Sequence, residues 1–200
     1  MTIVGGQKER LYGITMNHVN DMTLRISSFN CRGLKGSTTN LTLLAPSFDI
    51  ICLQETWLMP NELHCLNKLI PNMCGFGVSA VDPSVGLLHG RPYGGISCLW
   101  NKSLSYDVQC LYSGYDWLVA ISLANSNGNS FTVINVYFPC DSYTNVDKYL
   151  NCSGKLQAFL SDITGPHTFI SDAWQSTSWL DHYLGSRAVL QCLKKHFRHL

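Results

Sequence analysis

Residues 49–56 read DIICLQET, a short apolar run that ends in polar side chains. A continuous apolar run of this length, bounded by polar residues, is typical of a strand buried on both faces. We therefore predict a buried strand whose polar end presents Gln54 and Glu55. Side chains at the end of such a strand stand on a rigid base, which makes this position a good place for a functional site.

Similar runs lie on both sides of this strand and alternate with turn-forming residues. Short helices are predicted at 38–48, where Pro46 stops the helix, and at 61–70 with Asn61 as its cap, and a longer one at 143–163. Many strands with a few helices in mixed order predict an α/β or α+β sandwich. The predicted flanking strands are LRISSFN (24–30), FGVSAV (76–81), GGISCLW (94–100), WLVAISL (117–123), FTVINVYF (131–138), HTFIS (167–171) and SWLDHYL (178–184).

The composition is that of one globular domain. The 200 residues are 46% hydrophobic and 14% charged, and the formal net charge is +1. Such a chain can bury a core and is not a polyanion binder through its overall charge. We expect a loose leader at 1–23, a folded domain at 24–187 and a basic amphipathic helical tail at 188–200.

The cysteines and the absence of long apolar runs predict the cellular compartment of the protein. No run approaches the ~18 apolar residues of a membrane span, and no apolar core of signal-peptide length begins the chain. The nine cysteines include no C-x-x-C pair, and several lie in apolar runs, which indicates buried thiols in a reducing compartment. We expect an intracellular protein, nuclear or cytoplasmic, with no membrane attachment and no obligate protein partner.

Three polar side chains share one setting, because each stands at or near the end of a predicted strand. Asn30 ends LRISSFN, Glu55 ends DIICLQE, and Tyr137 precedes Pro139 at the end of VINVY. A carboxylate and a carboxamide there provide the oxygen ligands that Mg²⁺ takes. Each residue alone has an ordinary explanation, as a solvated loop charge, a turn former or a packing ring.

The combination resembles one family in order and spacing. The chain is similar to the endonuclease/exonuclease/phosphatase superfamily, and in particular to the endonuclease domain of LINE-type retrotransposons. The resemblance implies a four-layer α/β sandwich of two mixed β-sheets flanked by helices. It rests on SFNCRGL (28–34), DIICLQETWL (49–58), GGISCLW (94–100), NVYFP (135–139) and SWLDHYLGS (178–186).

The resemblance also implies a chemistry, the metal-dependent hydrolysis of a phosphodiester. By this likeness Glu55 holds a divalent ion, Mg²⁺ or Mn²⁺, and Asn30 supports the ion and its phosphate. Tyr137 hydrogen-bonds the phosphate, and Asp181 helps to orient a catalytic histidine. A bound metal neutralises phosphoryl charge and assists in forming hydroxide.

Two motifs of the family are absent. The first is G-D-x-N, to which the nearest string is SDAW at 171–174. Either this string is a degenerate G-D-x-N, or TFISDAW is the strand that follows that motif. We favour the second interpretation, which implies an internal deletion between Ile163 and His167 and the loss of an inner strand.

The second absent motif is the late S-D-H that carries the catalytic histidine, which implies a truncated C-terminal end. When residues act as one catalytic unit, the loss of one of them removes most of the catalytic rate. We therefore predict impaired hydrolysis. A non-catalytic remnant that binds nucleic acid or metal weakly is the alternative, and a phosphatase or lipid phosphodiesterase of the same superfamily is a third.

DNA is the expected partner of a nuclease of this type. Cationic groups beside the cleft would meet phosphates, and an aromatic ring would stack or wedge at a base step. We predict these roles for Arg32, Lys35, Trp57 and Tyr93, whose ordinary alternative is surface charge and core aromatics.

Overall fold

The computed structural model describes residues 2–6, 9–17, 23–86, 88, 90–138, 146–163 and 167–173. The first of its two sheets has six strands in the order β1-β2-β3-β4-β6-β5. Only the β3–β4 pair is parallel, so this sheet is mixed. Its strands are β1 (Thr2–Gly6), β2 (Glu9–Asn17), β3 (Thr23–Asn30), β4 (Ile50–Gln54), β5 (Met73–Val78) and β6 (Ile96–Asn101).

The second sheet has four strands in the order β10-β9-β8-β7. Strand β10 runs parallel to β9, and the other pairs are antiparallel. This sheet is therefore also mixed, as the resemblance implies. Its strands are β7 (Asp107–Leu111), β8 (Leu118–Ala124), β9 (Ser130–Phe138) and β10 (His167–Ala173).

Two helices make the crossovers between parallel strands. Helix α1 (Leu34–Leu44) leads from β3 to β4, and helix α2 (Val146–Asp162) leads from β9 to β10. Parallel neighbours need such a crossover because the end of the first strand and the start of the second lie at opposite edges of the sheet. Short 3₁₀ helices occupy Ala45–Ser47, Pro60–Asn67 and Pro83–Val85. No helix in the described part of the chain is long and apolar enough to traverse a bilayer.

Three apolar clusters separate four layers. Alternate residues of β4 serve two of them: Ile51 and Leu53 pack with helix α1, whereas Ile50 and Cys52 face the second sheet. Strand β8 repeats the pattern, since Val119 joins the cluster between the sheets and Leu118 joins the one beneath α2. Because successive side chains of a strand point to opposite faces, an apolar run like DIICL is buried on both. The four-layer sandwich of two mixed sheets is thus confirmed.

The predicted loose leader is wrong for residues 2–6 and 9–17, which form β1 and β2. Strand β2 pairs with the whole of β3, from Asn17 opposite Thr23 to Arg10 opposite Asn30. Backbone hydrogen bonds to β3 stabilise this hairpin, so it needs no strong apolar pattern. The folded domain therefore begins before residue 24, and the predicted tail at 188–200 lies outside the described residues.

Two local elements also differ from the predictions. The segment Pro60–Asn67 is a 3₁₀ helix capped at Met59, whose N–H donates to Glu62 Oε2 at 3.0 Å, rather than a helix capped at Asn61. Strand β7 was not predicted, because it is an edge strand without a buried residue. Of the seven cysteines described, all are free thiols; Cys31, Cys52 and Cys98 are buried, while Cys65 and Cys110 are exposed.

We expect the cluster between the sheets to carry much of the stability. Ile121 is fully buried there, so Ile121→Ala should lower the free energy of unfolding by about 2–5 kcal/mol, measured by urea denaturation. Leu43→Ala on the exposed face of α1 is the control, with an expected change within about 0.5 kcal/mol. Similar losses in the two variants would contradict the assigned core.

Candidate active site

Asn30, Glu55 and Tyr137 meet at one edge of the sandwich. Glu55 Oε1 accepts from Asn30 Nδ2 at 3.0 Å and from the Tyr137 hydroxyl at 2.8 Å. Asn30 and Glu55 follow the ends of adjacent parallel strands, and Tyr137 reaches across from the second sheet. The three residues singled out in the sequence therefore form one hydrogen-bonded cluster built from both sheets.

The backbone around Glu55 is held in an uncommon conformation. Glu55 and Trp57 each have φ of 53°, and Arg32 has φ of 43°. Residues other than glycine reach this left-handed region only when neighbouring contacts impose it, at a cost of about 1–3 kcal/mol each. Here Gly33 N–H donates to the Glu55 carbonyl at 2.8 Å, and Trp57 N–H donates to the Gly94 carbonyl at 2.9 Å. The loop that carries Glu55 is thus fixed between two other loops.

Gly95 makes this close approach possible. Its φ is +78°, and a Cβ at this position would lie 2.6 Å from Thr56 Oγ1. Thr56 is itself buried and donates its N–H to the Gly95 carbonyl at 3.1 Å. A side chain at residue 95 would therefore push against the residue next to Glu55.

A buried amide pair lies directly behind the cluster. Gln54 Nε2 donates to Asn135 Oδ1 at 2.7 Å, and Ser28 Oγ donates to Gln54 Oε1 at 3.3 Å. Asn135 Nδ2 donates in turn to the carbonyls of Leu53 at 3.1 Å and Ser97 at 2.9 Å. Gln54 and Asn135 are fully buried. The prediction that the strand end presents Gln54 together with Glu55 is wrong, because Gln54 is the last residue of β4 and is fully buried. Asn135 was assigned no role, although both residues stand inside the quoted motifs, beside Glu55 and two residues before Tyr137.

The predicted cationic contacts differ in their surroundings. The Arg32 side chain is exposed, and its backbone N–H donates to Asn30 Oδ1 at 3.3 Å. Lys35 is 74% exposed and forms an ion pair with Glu62 at 2.5 Å. The hydrogen bond from Lys35 lowers the pKa of Glu62 from its usual value. Part of the Lys35 charge is therefore already balanced, whereas Arg32 has its side chain in solvent.

The predicted aromatic contacts differ as well. The half-buried Trp57 ring lies 4.3 Å below the Arg91 guanidinium, and a Cβ on Gly33 would meet the ring at 2.8 Å. Tyr93 is 56% exposed and adjoins Gly94, which binds the Trp57 backbone. Trp57 is thus a packing residue beside the site, and Tyr93 is the ring with exposed surface.

The cluster suits a hard cation. Mg²⁺ is held by one or two carboxylates, with waters and substrate phosphate completing its oxygen ligands. Glu55 supplies one carboxylate. Asn30 turns its Nδ2 toward Glu55, and its carboxamide oxygen, which accepts the Arg32 N–H at 3.3 Å, is the second oxygen of the donor set. The described residues contain no group of three His, Cys, Asp or Glu that would enclose a metal entirely in protein. The donor set therefore fits an ion that shares its coordination with substrate and water.

Strand β10 contains the first three residues of SDAW. It lies directly beside β9 in the parallel direction, with Asp172 in register with Tyr137. The predicted loss of an inner strand between Ile163 and His167 stays a prediction, because residues 164–166 lie outside the described residues. The register places Asp172 at the same edge of the sheet as Tyr137. The deletion was inferred from chain spacing to Asp181, which lies outside the described residues.

The comparisons with known proteins agree with this geometry. A model of the Endonuclease/Exonuclease/phosphatase family matches residues 27–191, well over half of the sequence. The chain belongs to the Endonuclease/Exonuclease/phosphatase family. A sequence search of the curated proteins finds no significant match.

Solved structures with the same fold include an AP endonuclease and the catalytic domain of APE2. The Leishmania major AP endonuclease LMAP has a TM-score of 0.54 and 17% identity, over 81% of this chain and 59% of that one. The Xenopus laevis APE2 catalytic domain has a TM-score of 0.53 and 19% identity, over 83% and 63%. The chain thus spans less than two thirds of either protein.

A retrotransposon protein shares the fold as well. The endonuclease domain of TRAS1, a telomere-specific non-LTR retrotransposon, has a TM-score of 0.52 and 13% identity, over 88% of this chain and 70% of that one. At these identities the likeness concerns the fold.

Substitution of Gly95 tests whether the Glu55 loop is sterically locked. Gly128 has φ of +79° with nothing within 4 Å of a Cβ, so Gly128→Ala should cost about 1–2 kcal/mol in unfolding free energy through backbone strain alone. Gly95→Ala carries the same strain and adds the clash with Thr56, for about 1–3 kcal/mol more. Chemical denaturation measures both, and equal losses would show that the Thr56 contact relaxes freely.

Proposed function

We propose that this chain is a divalent-metal-dependent phosphodiester hydrolase that cleaves DNA and derives from a retrotransposon. The observation that carries the proposal is the Glu55 carboxylate held by Asn30 and Tyr137 at one edge of the sandwich. Membership of the family supports the reaction class, and the fold of the TRAS1 endonuclease domain supports the origin. The AP endonuclease with the same fold supports a nucleic-acid substrate.

The roles follow from the donor and acceptor chemistry. Glu55 and Asn30 would hold Mg²⁺ or Mn²⁺, which supplies charge neutralisation at the phosphoryl oxygens and activation of water. The two hydrogen bonds to Glu55 Oε1 fix the direction of its carboxylate. The Tyr137 hydroxyl, reaching over from the second sheet, has one proton and donates it to Glu55; it would turn that proton to a phosphoryl oxygen when a strand binds.

Exposed groups beside the cluster would bind the rest of the DNA strand. Arg32 stands two residues from Asn30, and its exposed guanidinium suits a phosphate contact. Tyr93 offers an exposed ring for stacking on a base. Lys35 would contribute less because Glu62 already pairs with it.

The second half of the chemistry belongs to β10. Asp172, in register with Tyr137, would act as the acid of the family's G-D-x-N motif, with Trp174 where the motif has asparagine. The tryptophan side chain has no carbonyl oxygen and only one N–H donor, whereas an asparagine side chain has both an oxygen acceptor and two N–H donors. We therefore propose that hydrolysis is impaired while metal binding is retained. Asp181 remains the predicted orienting acid.

Glu55→Gln tests the metal-binding role. It removes the carboxylate charge and keeps the shape, so Mg²⁺-dependent nicking of supercoiled plasmid should fall by about 100-fold or more. Asp107→Asn, at an exposed carboxylate on the edge strand β7, is the matched control and should retain the wild-type rate.

The outcomes of this assay separate the candidate functions. Equal nicking by wild type and Glu55→Gln would contradict the assigned ligand. A wild-type chain that neither nicks DNA nor binds Mg²⁺ in calorimetry would leave the non-catalytic remnant as the better description. Hydrolysis of a soluble phosphomonoester without DNA cleavage would favour a phosphatase.

Asp172→Asn tests the position of the degenerate motif. If Asp172 acts with Tyr137, its loss should lower the residual nicking rate by a further ~100-fold, as expected for removal of a general acid–base group. Asp162→Asn at the exposed end of α2 is the control. Thermal unfolding of both variants should match that of the wild type. Unchanged nicking by Asp172→Asn would favour the alternative, in which TFISDAW is the strand that follows G-D-x-N.

A further inference from the structure

The amide pair behind the active site has no place in the proposed chemistry. Gln54 and Asn135 are not among the residues proposed to hold a metal or a phosphate. Both are fully buried, and together they form four hydrogen bonds between β3, β4, β6 and β9. An apolar pair of the same shape would satisfy the core at a similar stability, because buried polar pairs add little net stabilisation. These four hydrogen bonds differ from the apolar contacts around them because a hydrogen bond requires a defined distance and angle.

The position of the pair in the chain is informative. Gln54 directly precedes Glu55 at the end of β4, and Asn135 stands two residues before Tyr137 on β9. Residues two apart on a strand point to the same face, so Asn135 and Tyr137 both reach from the second sheet toward the first. The bond between Gln54 and Asn135 therefore joins the two strands that carry Glu55 and Tyr137.

We propose that Gln54 and Asn135 are positioning residues that set the distance between Glu55 and Tyr137. This inference rests on the proposed function, because it concerns the same site. The contacts of the apolar cluster between the sheets hold the sheets together but are non-directional. The 2.7 Å bond between the two amides fixes the separation of β4 and β9 one residue away from the 2.8 Å bond between Tyr137 and Glu55.

Asn135 also prevents the two sheets from sliding past each other. Its Nδ2 donates to the carbonyls of Leu53 and Ser97, which are register partners on β4 and β6. Because this β9 side chain is bonded to β4 and to β6 at once, it fixes the position of β9 both along these strands and across them. The Tyr137 hydroxyl then arrives at Glu55 without further adjustment.

The decisive variant removes both partners. Gln54→Leu/Asn135→Leu replaces the amides by apolar groups and should preserve cooperative thermal unfolding. Loss of alignment should lower kcat for plasmid nicking by about 100-fold, since a 1 Å displacement costs that much, while KM changes little. The swapped variant Gln54→Asn/Asn135→Gln restores an amide pair and should recover at least about 10-fold of the lost rate. Thr132→Val, buried on the other face of β9, is the control with wild-type kinetics.

A spectroscopic readout keeps the inference independent of activity. With Tyr137 labelled as 3-fluorotyrosine, ¹⁹F NMR reports the environment of its ring and hydroxyl. The double leucine variant should shift or broaden this resonance, whereas Thr132→Val should leave it in place. A wild-type chain that neither nicks DNA nor binds Mg²⁺ would overturn the proposed function, and this resonance would still decide the positioning role.

A milder variant covers the case in which the double substitution does not fold. Gln54→Met keeps the shape of the side chain and leaves Asn135 bonded to the Leu53 and Ser97 carbonyls. It deletes only the bond between the sheets and should give the same resonance shift with a loss of about 10-fold in kcat. A folded Gln54→Met or double leucine variant with the wild-type rate and an unmoved resonance would overturn the proposal.

Discussion

The two sheets must face each other at a fixed separation and register, and the candidate site exists only because they do. Packed sheets lie ~10 Å apart, a distance set by interdigitating side chains. Glu55 belongs to the first sheet and Tyr137 to the second, so neither sheet alone presents the cluster. The same constraint explains why β4 and β9 are buried on both faces: each is sandwiched between a helix layer and the opposite sheet. Fold and site are therefore consequences of one packing arrangement.

Local patterns in the sequence predict the inner strands and the residues at their ends. The apolar runs of β4 and β9 are buried on both faces, which is the strongest signal a strand can give, and Asn30, Glu55 and Tyr137 follow from being polar where such runs stop. Strands β1 and β2 and the edge strand β7 were missed because pairing by backbone hydrogen bonds leaves little trace in composition. The register of Asp172 with Tyr137 was missed for a related reason: it depends on which strand lies beside β10, and spacing along the chain does not contain that information.

The backbone of the Glu55 loop shows another limit of the sequence. A left-handed conformation is expected at glycine, as at Gly95, yet Glu55 and Trp57 adopt it too. Their conformations are imposed by hydrogen bonds from Gly33 and to Gly94, which come from distant parts of the chain. Strain of this kind persists where surrounding contacts over-determine the geometry, and it is concentrated at functional sites. The acid is thus held by its neighbours in a position that the free loop would rarely adopt.

The two halves of the candidate site come from separate β-α-β units. The β3-α1-β4 unit supplies Asn30 and Glu55, whereas the β9-α2-β10 unit supplies Tyr137 and places Asp172 in register with it. A change confined to β10 leaves the first unit and the bond between Asn30 and Glu55 in place. Under the proposed function the first unit would hold the cation and the second would assist hydrolysis. Such a fold could lose hydrolysis and keep its affinity for a cation, because different crossovers would support the two properties.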